Sequence, residues 1–149
     1  MSKNGLILAL AIALLLIGCK QSSQVTYTPP ALAEEWTISM TQSGGIMGLL
    51  RTVTVKSDGN YTVIDERAGK TITDKLTGEK LDELQELISG LEFTAPQMPT
   101  VCADCFVFDV EIQSGGKKMI LQADDISLPD SGMQPLVDLL RELMDSALK

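Results

Sequence analysis

The chain has 149 residues, with 12 Lys and Arg against 20 Asp and Glu, a net charge of −8 and no histidine. An acidic chain without a basic run is a poor match to nucleic acid, whose phosphates have to be neutralised by Lys and Arg. The missing imidazole removes histidine-based triads, a histidine general base and histidine metal ligation, and with no phosphate-binding or dinucleotide glycine motif in the chain, neither an enzyme nor a cofactor is expected.

At the start of the chain, Lys3 supplies a positive charge and Leu6–Ile17 is an uninterrupted apolar run. The run is shorter than the ~20 residues that cross about 30 Å of hydrocarbon, and it has the length of a signal-peptide core. It ends in Leu16-Ile17-Gly18-Cys19, which resembles the lipobox of bacterial lipoproteins. That resemblance implies signal cleavage between Gly18 and Cys19, the small Gly18 giving the peptidase access to the bond. It also implies acylation of Cys19 with chains of the palmitate type. Each buried CH₂ contributes about 0.8 kcal/mol, so two or three chains anchor firmly where one does not. The alternative is an ordinary transmembrane anchor that keeps Cys19. The implied location is the bacterial cell envelope, with the domain facing the periplasm or the exterior. Loss of residues 1–18 removes Lys3 and no acid, leaving the mature chain one unit more negative than the whole. Anionic head groups repel such a domain, so the lipid is the expected membrane contact.

The expected organisation is a signal peptide at 1–18, a lipidated cysteine and flexible tether at 19–33, and a single domain at 34–149. Lys20–Ala33 is polar and holds Pro29-Pro30, a mixture of flexible and extended character. Beyond it, Trp36, Ile38 and Met40 alternate with polar residues, the period of a half-buried strand. Leu50–Lys56 alternates likewise. Asp58-Gly59 signals a hairpin into Tyr61, Val63 and Asp65. Gly69-Lys70 turns the chain into a fourth strand, Thr71–Leu76.

A helix follows, with Thr77 as N-cap and Glu79 in the first turn. Leu81, Leu84, Leu87, Ile88 and Leu91 give it one apolar stripe. Glu92–Ala103 reads as a loop broken by Pro96 and Pro99. Phe106, Phe108, Val110 and Ile112 then make the clearest strand, and Gly115-Gly116 closes a hairpin to Lys117–Ala123. A polar loop, Asp124–Gly132, leads to a final helix at about Met133–Ala147, with Pro135 tolerated in its first turn. The fold class is therefore α+β: an antiparallel sheet of about six strands, in the chain order β4-α-β2-α, with two helices packed on one face.

Three cysteines are an odd number for an exported protein. Acylation of Cys19 would leave Cys102 and Cys105, which in an oxidising compartment are expected to form a disulfide. A redox-active pair normally sits at a helix N-terminus, whereas this one runs into a strand. Zinc would need four ligands, and neither histidine nor a second cysteine pair is present to complete them. Asp124, Asp125 and Asp130 are hard oxygen ligands on one loop, but their spacing suits an Asx-type turn ahead of a helix better than a calcium loop. No metal site is expected.

Ser43-Gly44-Gly45-Ile46-Met47-Gly48 is the unusual local feature. It reads either as a plain connection whose glycines permit a tight bend, or as a loop presenting Ile46 and Met47 to a partner's pocket. The strand, this Ser-Gly-Gly-apolar-x-Gly segment, the following strand with Arg51, and the Leu- and Glu-rich helix together resemble the emfourin family. So do Glu92-Phe93 with Pro96, Phe106-x-Phe108, and Leu128-Pro129 before the last helix. The resemblance covers roughly Thr37 to Leu143. It implies a proteinaceous inhibitor of thermolysin-like metalloproteases and, as partner, a secreted or envelope metalloprotease. Ser43, Gly44, Gly45 and Gly48 match the family's glycine motif, while Ile46 and Met47 replace its more usual Phe and Ala. The alternative is a non-catalytic envelope binding or structural module. An inhibitor needs the glycine loop exposed and rigid, whereas a structural module can bury it.

Overall fold

Apolar residues at every second position build the sheet seen in the computed structural model, which describes residues 25–96 and 102–149. The signal segment 1–18 with Gly18, the lipidation residue Cys19, the start of the tether and the part of the loop holding Pro99 lie outside the described residues. The elements in chain order are β1 (Thr26–Tyr27), β2 (Trp36–Gly44), β3 (Leu49–Lys56), β4 (Asn60–Asp65), β5 (Lys70–Lys75), α1 (Gly78–Ser89), β6 (Phe93–Thr94), β7 (Phe106–Ser114), β8 (Lys117–Asp124), a 3₁₀ turn (Leu128–Asp130) and α2 (Gln134–Ala147). Six strands form one antiparallel sheet in the order β5-β4-β3-β2-β7-β8. Among the described residues the fold is α+β, with this sheet and two helices.

Hairpin connections explain the neighbours within β2–β5 and within β7–β8. The join between the two groups is non-local, and matched apolar rows set its register. Ile72, Val63, Val53, Met40, Val110 and Leu121 lie side by side across all six strands. Slipping β7 by one residue would turn Phe108, Val110 and Ile112, all buried, to the other face. Val63, Val53, Met40, Val110 and Leu121 of that row share one core cluster with Leu84 and Ile88 of α1 and Leu136, Val137, Leu140 and Met144 of α2. Helices of this length are marginal alone, so that contact is what maintains them. The opposite face carries Thr37, Ser39, Thr41, Thr52, Thr54 and Thr62, all half-buried, as antiparallel sheets with one wet face do.

Local chemistry sets the ends. Thr77 Oγ1 accepts the Lys80 N–H at 3.3 Å and caps α1 as expected. At the β7–β8 hairpin both Gly115 (φ +55°) and Gly116 (φ +76°) take the left-handed conformation that a two-residue turn of this hand requires. α2 has no side-chain cap of its own. The Ser131 hydroxyl accepts the Met133 N–H at 3.0 Å and donates to the Leu128 carbonyl at 2.7 Å, which fixes the entry to that helix.

One pairing has no periodic signal in the sequence: β1 and β6 form a two-residue antiparallel ladder, Thr26 with Thr94 and Tyr27 with Phe93. Within the stretch read as a tether, Leu32 packs on the core cluster. The Ala33 N–H donates to Ser114 Oγ at 2.7 Å, and that hydroxyl donates to the Ala31 carbonyl at 3.1 Å.

Candidate functional site

The central strand β2 delivers the glycine loop. Its ladder with β3 ends at Gly44 opposite Leu49, so Gly45–Gly48 is the turn itself. The Gly48 N–H donates to the Gly45 carbonyl at 2.9 Å. Ile46 and Met47 are the two central residues of that turn, where side chains point outward. Ile46 is 87% exposed and Met47 70%. Single exposed apolar side chains are ordinary, but exposed ones that lie together mark interaction sites.

The loop is braced from below. On its other flank β2 pairs with β7, Ser43 opposite Val107 and Gly44 opposite Phe106. One step further, the Gly45 N–H donates to the Cys105 carbonyl at 3.2 Å. Gly44 sits at φ +102° and Gly45 at φ +69°. A side chain on Gly44 would run into the Cys105 carbonyl oxygen, and a Cβ on Gly45 would stand 2.7 Å from the Phe106 ring. These glycines therefore do more than permit a bend: they let the turn lie flat on the start of β7. Gly48, at φ +58°, has open space around it and is needed for conformation alone.

The cysteine pair belongs to the same place. Cys102 and Cys105 form a disulfide with their Cα atoms 5.5 Å apart, immediately before β7. The disulfide thus constrains the residue whose carbonyl receives the loop.

A charged cluster secures the base of the hairpin. Arg51, opposite Gln42 in the ladder, donates from Nε to Asp65 Oδ2 at 2.8 Å and places a terminal nitrogen 3.6 Å from Asp145 of α2. Asp65 also accepts the Ala68 N–H at 2.9 Å. That backbone bond first, and then the Arg51 bond, hold the Asp65 carboxyl below its usual pKa. Sequence reasoning notes Arg51 only within a pattern and does not find this linkage: Asp65 stands opposite Arg51 only in the exact β3–β4 register, and Asp145 comes from a distant helix.

The acidic loop after β8 resolves as an Asx-type turn. Asp124 Oδ1 accepts from the Ile126 N–H at 3.1 Å, the Ser127 N–H at 2.8 Å and the Ser127 hydroxyl at 2.7 Å. Among the described residues no group of three or more Cys, Asp or Glu side chains is placed to hold a metal ion. A concavity of about 570 Å³ lies at the far end of β2, between Trp36, Lys56, Asp58 and the Gly115–Lys118 hairpin. It is separated from the glycine loop by the length of a nine-residue strand, ~26 Å, so the groove and the loop are separate features.

No family model and no curated protein sequence matches this chain.

Proposed function

We propose that this chain is a non-catalytic lipoprotein of the bacterial envelope, anchored through Cys19. Its two helices cover one face of the sheet, and its Ser43–Gly48 loop inhibits a thermolysin-like metalloprotease by occupying the cleft. The observation that carries this reading is the geometry of the turn: Ile46 and Met47 stand in water on a backbone hydrogen-bonded to Cys105 and packed on Phe106. A loop that is already rigid loses little freedom on docking, so more of its contact energy becomes affinity. Clefts of that protease class take bulky apolar side chains, which Ile46 and Met47 provide. Blockade by a strapped, non-covalent loop needs no nucleophile, base or metal from the inhibitor. The resemblance of the glycine motif supports the same partner.

The test is inhibition of thermolysin by the full chain in detergent, with and without the double change Ile46→Ala and Met47→Ala. Losing apolar anchors at a hot spot commonly costs about 2–4 kcal/mol, so inhibition should weaken about 30- to 1000-fold. Both side chains are exposed, so the thermal midpoint should stay where it was. A wild-type chain that inhibits neither thermolysin nor a thermolysin-like protease of the same organism sinks the proposal, and a binding module for another ligand then takes its place.

A further inference from the structure

Phe106 is held from two sides. Gly45 lies against its ring. On the other flank Phe106 donates its N–H to Asp125 Oδ2 at 2.7 Å and accepts the Asp125 N–H on its carbonyl at 3.1 Å. The turn after β8 is thereby fixed beside the glycine loop, with the start of β7 between them. The same turn carries Ile126, 55% exposed, on a backbone locked by the three bonds to Asp124 Oδ1 described above. A second bulky apolar residue therefore stands in water on a second rigid turn at the same end of the sheet.

We infer that Ile126 is a second anchor of the docking face, so that the partner is gripped by two prongs, Ile46 with Met47 and Ile126, on either side of the Cys105–Phe106 segment. The inference rests on the protease reading above and adds a contact that the glycine motif does not contain. Both prongs are tied to that segment through the backbone, Gly45 to the Cys105 carbonyl and Asp125 to Phe106. The face is thus apolar at its tips, which suits a cleft with two apolar pockets. Ser127 is a positioning residue: its hydroxyl bonds Asp124 and receives the Asp124 N–H at 3.0 Å, closing the turn beneath Ile126.

The experiment measures thermolysin inhibition by the full chain and three variants. Ile126→Ala should weaken inhibition about tenfold, with an unchanged thermal midpoint, and Ile126→Leu should restore most of it. Ile120→Ala is the control, since Ile120 is equally exposed in kind, at 63%, but sits within β8 opposite Glu111 and away from the turn. It should leave inhibition unchanged. Wild-type inhibition with no loss in Ile126→Ala overturns the second prong while leaving the glycine loop as inhibitor. Equal losses in Ile126→Ala and Ile120→Ala overturn it too, because the effect would then be general. No inhibition by the wild type overturns both readings.

Discussion

The N–H of Gly45 donates to the carbonyl of Cys105 at 3.2 Å, joining the exposed turn to the disulfide segment just beyond the end of the β2–β7 ladder. The loop's shape therefore depends on residues distant in sequence as well as on its own glycines.

The glycines should differ in cost. Gly44→Ala and Gly45→Ala add a left-handed penalty of about 1–2 kcal/mol to an overpacking penalty of about 1–3 kcal/mol, because both positions abut other atoms. Gly48→Ala meets open space and should cost the first term only. Urea unfolding of the three variants measures this, and a Gly48→Ala loss as large as that of Gly45→Ala would contradict it.

The disulfide should be present in protein taken from its native compartment and should contribute modestly. It closes a very short loop, for which chain entropy gives about 2 kcal/mol. Intact mass before and after reduction and alkylation reports the bond. Denaturation of Cys102→Ser with Cys105→Ser reports its contribution. Two alkylatable thiols without reduction would show the expectation wrong.

Acid should weaken the fold partly through Asp65. Its folded pKa lies below the ordinary carboxylate value, so the folded state binds its proton less readily than the unfolded chain. The stability it contributes is present above about pH 4 and is lost as pH falls through the folded value. Glu111, bonded first by Lys118 and then by Gln113, shifts in the same direction. Urea midpoints from pH 7 downward should fall less steeply for Asp65→Asn than for wild type. Parallel curves would remove Asp65 from the account.

Cys19→Ala should abolish incorporation of labelled fatty acid and leave an uncleaved or misprocessed precursor. The motivation is the apolar run ending in Leu16-Ile17-Gly18-Cys19. Equal labelling of mutant and wild type would end the lipoprotein reading.

Much of the sheet is legible in the sequence because period two leaves its mark wherever one face is buried. Phe106-Val-Phe108-Asp-Val110-Glu-Ile112 can hardly be read otherwise, and Asp58-Gly59 and Gly115-Gly116 announce their turns. Placing β7 beside β2 instead of β5 is a long-range choice, written only in the match of Met40 with Val110 and Ile38 with Ile112. The β1–β6 ladder is too short to carry a period. At the site, the glycine spacing picks out Ser43–Gly48, and the structure explains the individual glycines. Ile126 goes unread because it and Leu128 are isolated apolar residues in a polar loop with no period to tell which is buried. The Asp124-x-x-Ser127 spacing is the only local sign that the loop is ordered enough to present it.

The position of β2 between β3 and β7 has a consequence for the order of events in folding. β2 to β5 are joined by short hairpins and can form from local contacts, whereas Gly44 meets Phe106 only after roughly sixty intervening residues have been closed into a loop. A chain that has made its first four strands thus owns the turn but not its support. In refolding followed by the single tryptophan, Trp36, and in parallel by thermolysin inhibition, inhibition should return no earlier than the slowest fluorescence phase. Inhibition regained ahead of that phase would show that the turn is competent on its own. If inhibition instead waits for that phase, a half-made or β7-damaged chain would be inert on the function proposed above, because the turn gains its support only when its most distant partner arrives.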